Sequence, residues 1–422
     1  MAGHIQDRWY KTETTSDGKT IRVKTDRHGT GTRYRARYVG PDGTEKSKSF
    51  ADRQKRLADQ WLAQIEADMA RGHYIDPASN RTTFRQYAER WIAAQTTNVA
   101  SRATTETQLR LHAFPYLGSR PLASFRPSHI RTWTRQLEDA GLASSYRRSI
   151  FATVSAVLTA AVDDTFIPRN PCRSSSVNAP KPSGERVAPW TREQTFAVRE
   201  ALPQRYQAMV DVGAGCGLRQ GEIFGLPVDA VGFLTGWLHV GLQIKVVKGR
   251  SFFALPKGEK TRDVPLPDQV GQVLAQHIKR YPPVSVTLPW LKPDGPPLTR
   301  SLVFTGPRGN HVYRSNFNIS PWKPALATAG LITKPEDKRQ PLPSAREHGM
   351  HALRHFYASV LLDAGENIKA LSNYLGHTDP GFTLRVYTHL MPSSEGRTRK
   401  AMNRLYEGAS KSDDGPGTAQ AA

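Results

Sequence analysis

His351-Ala352-Leu353-Arg354 opens an apolar helical run through Leu362, and Leu375-Gly376-His377 follows, with Tyr387 ten residues beyond His377. Residues three apart on a helix share a face, so His351 and Arg354 can point at one ligand. The pair alone is a weak signal, because His-x-x-Arg also occurs at His277/Arg280 and His311/Arg314. Only the third occurrence is followed by Gly-His and a tyrosine on a further short helix. Two upstream segments belong with it. Gly217-Leu218-Arg219-Gln220-Gly221-Glu222 opens an apolar helical run. Pro256-Lys257-Gly258-Glu259-Lys260-Thr261-Arg262-Asp263-Val264-Pro265-Leu266 lies between strand-like segments, which predicts a hairpin over 256–266.

Around this constellation stands a chain of 422 residues with a formal charge of +22. At roughly 100–200 residues per domain, that length suggests two to four domains. Hydrophobic residues at 38% and charged residues at 23% supply packed cores, so global disorder is excluded. No run approaches the ~18 apolar residues of a membrane span, and the first residues lack an apolar signal stretch. A cytoplasmic protein without a membrane partner is expected. Cys172 and Cys216 lie far apart and without metal-ligand spacing, so neither a disulfide framework nor a zinc site is expected. The positive excess favours a polyanionic partner, above all nucleic acid. It is spread along the chain: residues 1–75 hold 15 Lys/Arg against 10 Asp/Glu, and residues 101–150 hold eight Arg, Arg147 and Arg148 among them.

The organisation reads as follows. Residues 1–75 form strands and then a helix. Arg33, Arg35 and Arg37 alternate with Tyr34, Ala36 and Tyr38, a period of two. Gly40-Pro41-Asp42-Gly43 makes a turn, and the return strand 44–50 places Lys46 and Lys48 on one face. An Arg/Lys face of this kind either enters a DNA groove or stays a solvated sheet face. A helix follows with Leu57, Trp61 and Ile65 as its apolar stripe and Gly72 as its stop. Residues 83–171 read as helical, Thr83 capping the first helix and others covering about 101–113, 127–140 and 143–163. Residues 172–189 read as a linker, 190–408 as a mixed domain and 409–422 as a disordered tail.

The ordered set Arg219, Lys257, His351, Arg354, His377, Tyr387 resembles the tyrosine recombinase (phage integrase) family. Gly-Leu-Arg before Glu222, Lys-Gly-x-Lys-x-Arg-x-Val-Pro-Leu, and Leu-Gly-His before the tyrosine carry the same resemblance. It covers about 200–395. Residues 83–171 are similar to the family's helical core-binding domain, and residues 5–72 to the small arm-site-binding domains of some integrases. The resemblance implies a multidomain chain, mainly α with small β-sheets: an N-terminal β-sheet plus helix domain, a helical core-binding domain and an α+β catalytic domain. It implies a site-specific recombinase that cuts and rejoins DNA through a 3′-phosphotyrosyl intermediate, integrating or excising a mobile element. The implied partners are double-stranded attachment sites, a homotetramer on two duplexes and an excisionase or bending factor. The long Pro-rich stretch 281–348 departs from the pattern.

The chemistry can be argued from residue types as well. Strand exchange needs a nucleophile, charge stabilisation at the phosphate and an acid for the leaving 5′-oxygen. Arg219 and Arg354 suit a developing phosphorane, since each guanidinium is charged and donates in parallel pairs. Lys257 starts protonated and suits the general acid; Tyr387 suits the nucleophile. His351 is placed to help as base or hydrogen-bond partner, and His377 to donate to a non-bridging oxygen. Bond energy stays in the phosphotyrosine, so neither ATP, a metal nor any other cofactor is expected. Glu222 either caps and packs its helix or, as the resemblance implies, orients the catalytic side chains. Lys260 and Arg262 are expected as phosphate contacts or solvated hairpin charges. His355, His389, Tyr357 and Tyr374 are expected to be structural. Two other readings stand beside the recombinase: a type IB topoisomerase-like relaxing enzyme, and a non-catalytic regulator on a recombinase scaffold.

Overall fold

The computed structural model describes residues 3–14, 16, 18–41, 43–71, 74, 81–181, 188–337, 339–377, 379–387, 399 and 402–403. The chain divides into two compact units, Met1–Glu185 and Arg186–Ala422. Residues 394–407, whose apolar spacing predicts a helix, and the expected tail 409–422 lie outside the described residues, apart from Arg399, Met402 and Asn403. So does Gly72.

The first unit begins with strands β1 (His4–Asp7), β2 (Tyr10–Thr14), β3 (Thr20–Lys24), β4 (Tyr34–Val39) and β5 (Glu45–Phe50), followed by helix α1 (Lys55–Ala70). β2 and β3 form a separate hairpin, while β4 is central in an antiparallel β1-β4-β5 sheet. The alternation along β4 buries Tyr34, Ala36 and Tyr38 in a core completed by Phe50, Ala58 and Leu62. Register then separates the basic side chains. Arg35 pairs with Ser49 and Arg37 with Ser47, whereas Lys48 pairs with Ala36 and Lys46 with Tyr38. Directly opposed residues point to one side of a sheet. The expected single Arg/Lys face is therefore two faces: the arginines lie on one, and the lysines lie with the aromatic residues. The Lys48 ammonium stands 5.4 Å from the Phe50 and Trp61 rings, and that of Lys46 5.6 Å from Tyr74. On α1, Ala58 and Leu62 form the buried stripe; Leu57, expected in it, sits in the first turn and is 53% exposed.

The helical part of this unit comprises α2 (Phe84–Ala93), α3 (Val99–Gln108), α4 (Phe114–Leu117), α5 (Pro127–Asp139) and α6 (Ser144–Asp163), with a π-helical turn Leu109–Ala113 joining α3 to α4. Thr83 caps α2 in a reciprocal capping box with Gln86. Phe84, Tyr87, Ile130, Trp133, Ile150, Val154 and Val157 fill the core. Asn170 closes the bundle: its Nδ2 donates to Ser155 O at 2.9 Å and Thr159 Oγ1 at 2.9 Å, and its Oδ1 accepts from Cys172 N. Cys172 and Val177 are buried in this same core, so the beginning of the expected linker 172–189 packs onto the bundle.

In the second unit Thr191 caps α7 (Arg192–Ala201), which is followed by α8 (Gln204–Cys216) and α9 (Gln220–Phe224). Strands β6 (Val231–Gly232), β7 (Trp237–Val240), β8 (Gln243–Val247), β9 (Arg250–Ala254) and β10 (Arg262–Pro265) come next. β8 pairs with β9, and β10 pairs with β7 in a β10-β7-β6 sheet. The expected hairpin over 256–266 is thus a connection between two sheets. β9 already has its partner, and Val264 meets Leu238 instead. Helix α10 (Asp268–Arg280) leads into the Pro-rich stretch, which is ordered as a β11 (Val284–Pro289) and β12 (Pro297–Leu302) hairpin, then α11 (Arg314–Phe317), a π-turn Asn318–Trp322 and α12 (Lys323–Thr328). Trp322 stacks on Trp190 at 6.1 Å, and both indole N–H groups donate to His348, one to its carbonyl and one to its ring. This knot fixes the entry to α13 (His351–Asp363), which α14 (Ile368–Leu375) and α15 (Pro380–Tyr387) follow. α13 lies tight on α8: a side chain at Gly213 would come within 2.7 Å of Leu353 Cδ1.

Candidate active site

Arg219 precedes α9, and the turn before it needs Gly217. That residue has φ +65°, and a Cβ there would meet the Tyr357 ring at 2.4 Å. Arg354 projects from the first turn of α13 and is 1% exposed. The two guanidiniums converge. Arg219 Nη2 donates to Leu375 O at 3.1 Å, and Arg354 Nη2 donates to the same carbonyl oxygen. Arg354 Nη1 donates to Gly217 O at 2.8 Å. Leu375 ends α14, and Gly376 beyond it takes φ +61°, so the last carbonyls of that helix are presented to the arginines. Burial, and then the Arg219 charge, bring the Arg354 guanidinium down to about 9, still cationic at neutral pH.

Glu222 lies on the same helix turn as Arg219, with no exposed side-chain surface. It accepts from Arg219 N and Arg219 Nη1, each at 2.9 Å, and from Arg262 Nη1 at 3.0 Å and Nη2 at 2.7 Å. Burial would raise its pKa; the Arg262 hydrogen bonds and charge, and then Arg219, outweigh it and hold the carboxyl at about 2. Arg262 is accordingly a buried partner of Glu222 rather than a solvated hairpin charge. Its side chain is only 7% exposed, and its Nε donates to Tyr374 O at 2.7 Å.

His377 follows Gly376. Its Nε2 stands 3.1 Å from Arg354 Nη2 and its Nδ1 2.7 Å from Thr383 Oγ1. A guanidinium only donates, so Nε2 accepts and the Nδ1 proton goes to Thr383. Burial and the arginine charges depress this imidazole to about 3, keeping it neutral. In this arrangement Nε2 holds Arg354 and is not a free donor to a phosphate oxygen. His351 starts α13 with an open edge, yet the surrounding protein, then His355 and Arg354, lower it to about 4. Its ring meets His355 edge-on at 4.7 Å, and His355 lies 5.5 Å from the Tyr387 ring. Tyr387 ends α15 and is 2% exposed; burial raises its pKa, while Arg354 and then Arg219 pull it down.

Five of the six expected catalytic residues, with Glu222, thus surround one another in the second unit. The sixth, Lys257, stands exposed on a turn closed by Glu259 N donating to Pro256 O at 2.9 Å. Gly258 and Glu259 both adopt positive φ there. Lys257 makes no hydrogen bond or ion pair among the described residues, and Lys260 beside it is exposed. His277 and His311, the other His-x-x-Arg histidines, are buried elsewhere, His277 against Val303 O. Among the expected DNA contacts, Arg33 is held by Asp7 and Asp52, Arg35 by Ser47, and Arg37 by Glu45. Arg147 pairs with Glu138, and Arg148 donates to Pro180 O. His389 lies outside the described residues. Sequence reasoning missed Thr383, the Leu375 carbonyl and the second role of Arg262. The one available signal was Leu-Gly-His itself, since a glycine after a helix turns its final carbonyls outward.

Residues 192–393 match the phage integrase family, and residues 84–176 match the phage integrase central domain. The chain is 25% identical over 382 residues to the prophage phiRv2 integrase of Mycobacterium tuberculosis, with 89% of this chain and 93% of the relative covered. It is 26% identical over 294 residues to a tyrosine recombinase XerC-like protein of Caldanaerobacter subterraneus, covering 66% and 70% respectively. Among solved structures, a fragment of the Tn1549 transposon integrase in complex with a circular intermediate DNA superposes with TM-score 0.62 at 21% identity, over 76% of this chain and 99% of that one. The lambda integrase tetramer bound to a Holliday junction superposes with TM-score 0.54 at 16% identity, over 85% and 92%.

Proposed function

We propose, from the premise that the chain belongs to the phage integrase family of tyrosine recombinases, how its clustered side chains cut and rejoin DNA. The protein is a site-specific DNA recombinase that forms a 3′-phosphotyrosyl intermediate. The observation that carries the residue assignment is the convergence of Arg219 and Arg354 on one carbonyl, with Tyr387 buried beside them. A phosphate entering this site takes the place of the Leu375 carbonyl as acceptor for both guanidiniums. Their charges favour the tyrosinate and the phosphorane, where donors placed in advance act most strongly. Tyr387 Oη attacks phosphorus, the P–O5′ bond breaks, and the tyrosine proton passes to neutral His351 or to water. Lys257, carried by its exposed turn, gives a proton to the leaving 5′-oxygen. A second strand's 5′-hydroxyl reverses the steps and restores the tyrosine.

The remaining assignments follow from the same reading. Residues 1–75 bind a DNA site apart from the crossover, residues 83–171 grip the core site together with 190–408, and four protomers hold two duplexes. Arg35, Arg37, Arg148 and Lys260 are the proposed DNA contacts. No helix among the described residues is long and apolar enough to cross a membrane, and the proposed location is the cytoplasm, at the nucleoid. Tyr387→Phe tests the chemistry directly. It is expected to bind a nicked suicide substrate normally and to yield no covalent adduct on a denaturing gel. An adduct persisting in this variant would place the nucleophile elsewhere.

A further inference from the structure

Arg262 sits where two needs of the site meet. It is the first residue of β10, and each of the five residues before it, from Lys257 to Thr261, is exposed. Its side chain, 7% exposed, is therefore the first to be buried after the lysine. Its three hydrogen-bonding nitrogens reach two other elements: both Nη atoms bind the Glu222 carboxylate beside α9's Arg219, and Nε binds Tyr374 O in the last turn of α14. Leu375, whose carbonyl gathers both catalytic arginines, is the next residue. Gly376 completes the fit, because a Cβ there would lie 3.0 Å from Arg262 Cδ. The stem of Arg262 thus runs close over a position where a Cβ would crowd it. Before the turn, Leu255 O is held by Gln243 Nε2, so the lysine hangs between two fixed points.

We propose that Arg262 is a positioning residue that ties the Lys257 turn to the two-arginine clamp, so that proton donation to the leaving 5′-oxygen depends on it. The proposal rests on the assignment of Lys257 as the general acid. Neutralising Glu222 would need only a cation, and a lysine would supply one. Spanning both carboxylate oxygens and the Tyr374 carbonyl at once needs the planar fork of arginine. A displaced anchor moves the acid, and a misplacement of about 1 Å costs about 10²-fold in rate.

The test uses the full chain with Arg262→Lys, which keeps the charge beside Glu222, and two nicked suicide substrates, one with the normal 5′-oxygen and one with a bridging sulfur. The sulfur leaves as a thiolate and needs no proton. Arg262→Lys is expected to bind half-site DNA and to melt as the parent does. Its covalent attachment should be about 10²-fold slower on the oxygen substrate and close to the parent's on the sulfur substrate. An unchanged rate on oxygen would reduce Arg262 to a counter-ion and overturn the proposal. Equal losses on both substrates would overturn it too, placing the effect on the phosphate clamp. Lys257→Ala run in parallel separates the two ideas: a defect that sulfur fails to restore there refutes the acid assignment itself. Should Arg262→Lys melt early, both substrates are compared at a temperature where the variant is folded, with the same expectations for the two rates.

Discussion

Glu222 shows how a single buried charge organises the chemistry around it. Four hydrogen bonds from two arginines leave it no solvent contact, so it can be kept only as a carboxylate, and both arginines are bound to its geometry. Arg219 and Arg354 in turn owe their convergence to one exposed helix end. Arg354→Lys is expected to fold and bind DNA but to lose about 10²–10³ in cleavage rate, because one ammonium cannot replace two parallel donors. Near-normal single-turnover cleavage by this variant would count against the clamp. The histidines make a second claim. His377 and His351 are held neutral down to about 3 and 4, whereas an unfolded histidine titrates near 6.5. Above that pH both states are neutral and these groups contribute nothing to its dependence. Below it the unfolded chain takes up protons that the folded one refuses, so stability falls as pH drops from about 6.5 toward 4. Melting temperature measured at about pH 7.5 and pH 5 should fall less in His377→Asn than in the parent; an equal fall would show that His377 is not held neutral.

At the scale of elements, the sequence was most legible where capping and periodicity agreed. Thr83 and Thr191 both start helices through reciprocal boxes with glutamines three residues on, and the helices over 127–140 and 143–163 appear within a residue or two. It was least legible where pairing is decided at long range. Nothing local says that β10 joins β7 rather than β9, and a Pro-rich stretch hides its order when its own Trp322 is held by the distant Trp190. The candidate catalytic set could be picked out because its order is linear and its residue types are demanding. The inward turn of Arg262 could not be read locally, because its partner Glu222 lies 40 residues away. The small sheet illustrates the same limit. Arg35 and Arg37 could be placed on one face from β4 alone, but the face of Lys46 and Lys48 depends on register. The outward arginine face is the one expected to meet DNA. Arg35→Ala with Arg37→Ala should weaken binding to the separate site and reduce the salt dependence by about two counter-ions. Lys46→Ala with Lys48→Ala should instead cost about 0.5–1 kcal/mol of stability for each lost ring contact. A titration series in salt, with thermal melts, distinguishes the faces; a reversed pattern would exchange them.

For the molecule as a whole, charge and assembly are the questions. A net charge of +22 spread over both units fits a protein that meets its duplex through several separate contacts rather than with one tail. The proposed assembly on two duplexes needs contacts between like-charged protomers, which DNA phosphates can screen but only protein surfaces can make specific. The segment after Tyr387 is suited to this. Met402, among its described residues, is 45% exposed, and Ala401 and Leu405 share its spacing among Arg397, Arg399, Lys400 and Arg404. This spacing predicts a short apolar stripe in a basic segment, and we propose that it docks on a neighbouring protomer rather than on its own domain. Truncation after Pro392 retains all six proposed catalytic residues. It is therefore expected to spare binding of one protomer to a half-site and to abolish the four-protomer synapse at concentrations where the full chain forms it. A gel-shift ladder reports the first and sedimentation of the DNA complex the second. A truncated chain that still builds the synapse at the same concentration would mean that the segment packs on its own domain, and that the contacts between protomers lie on the surfaces of the folded units.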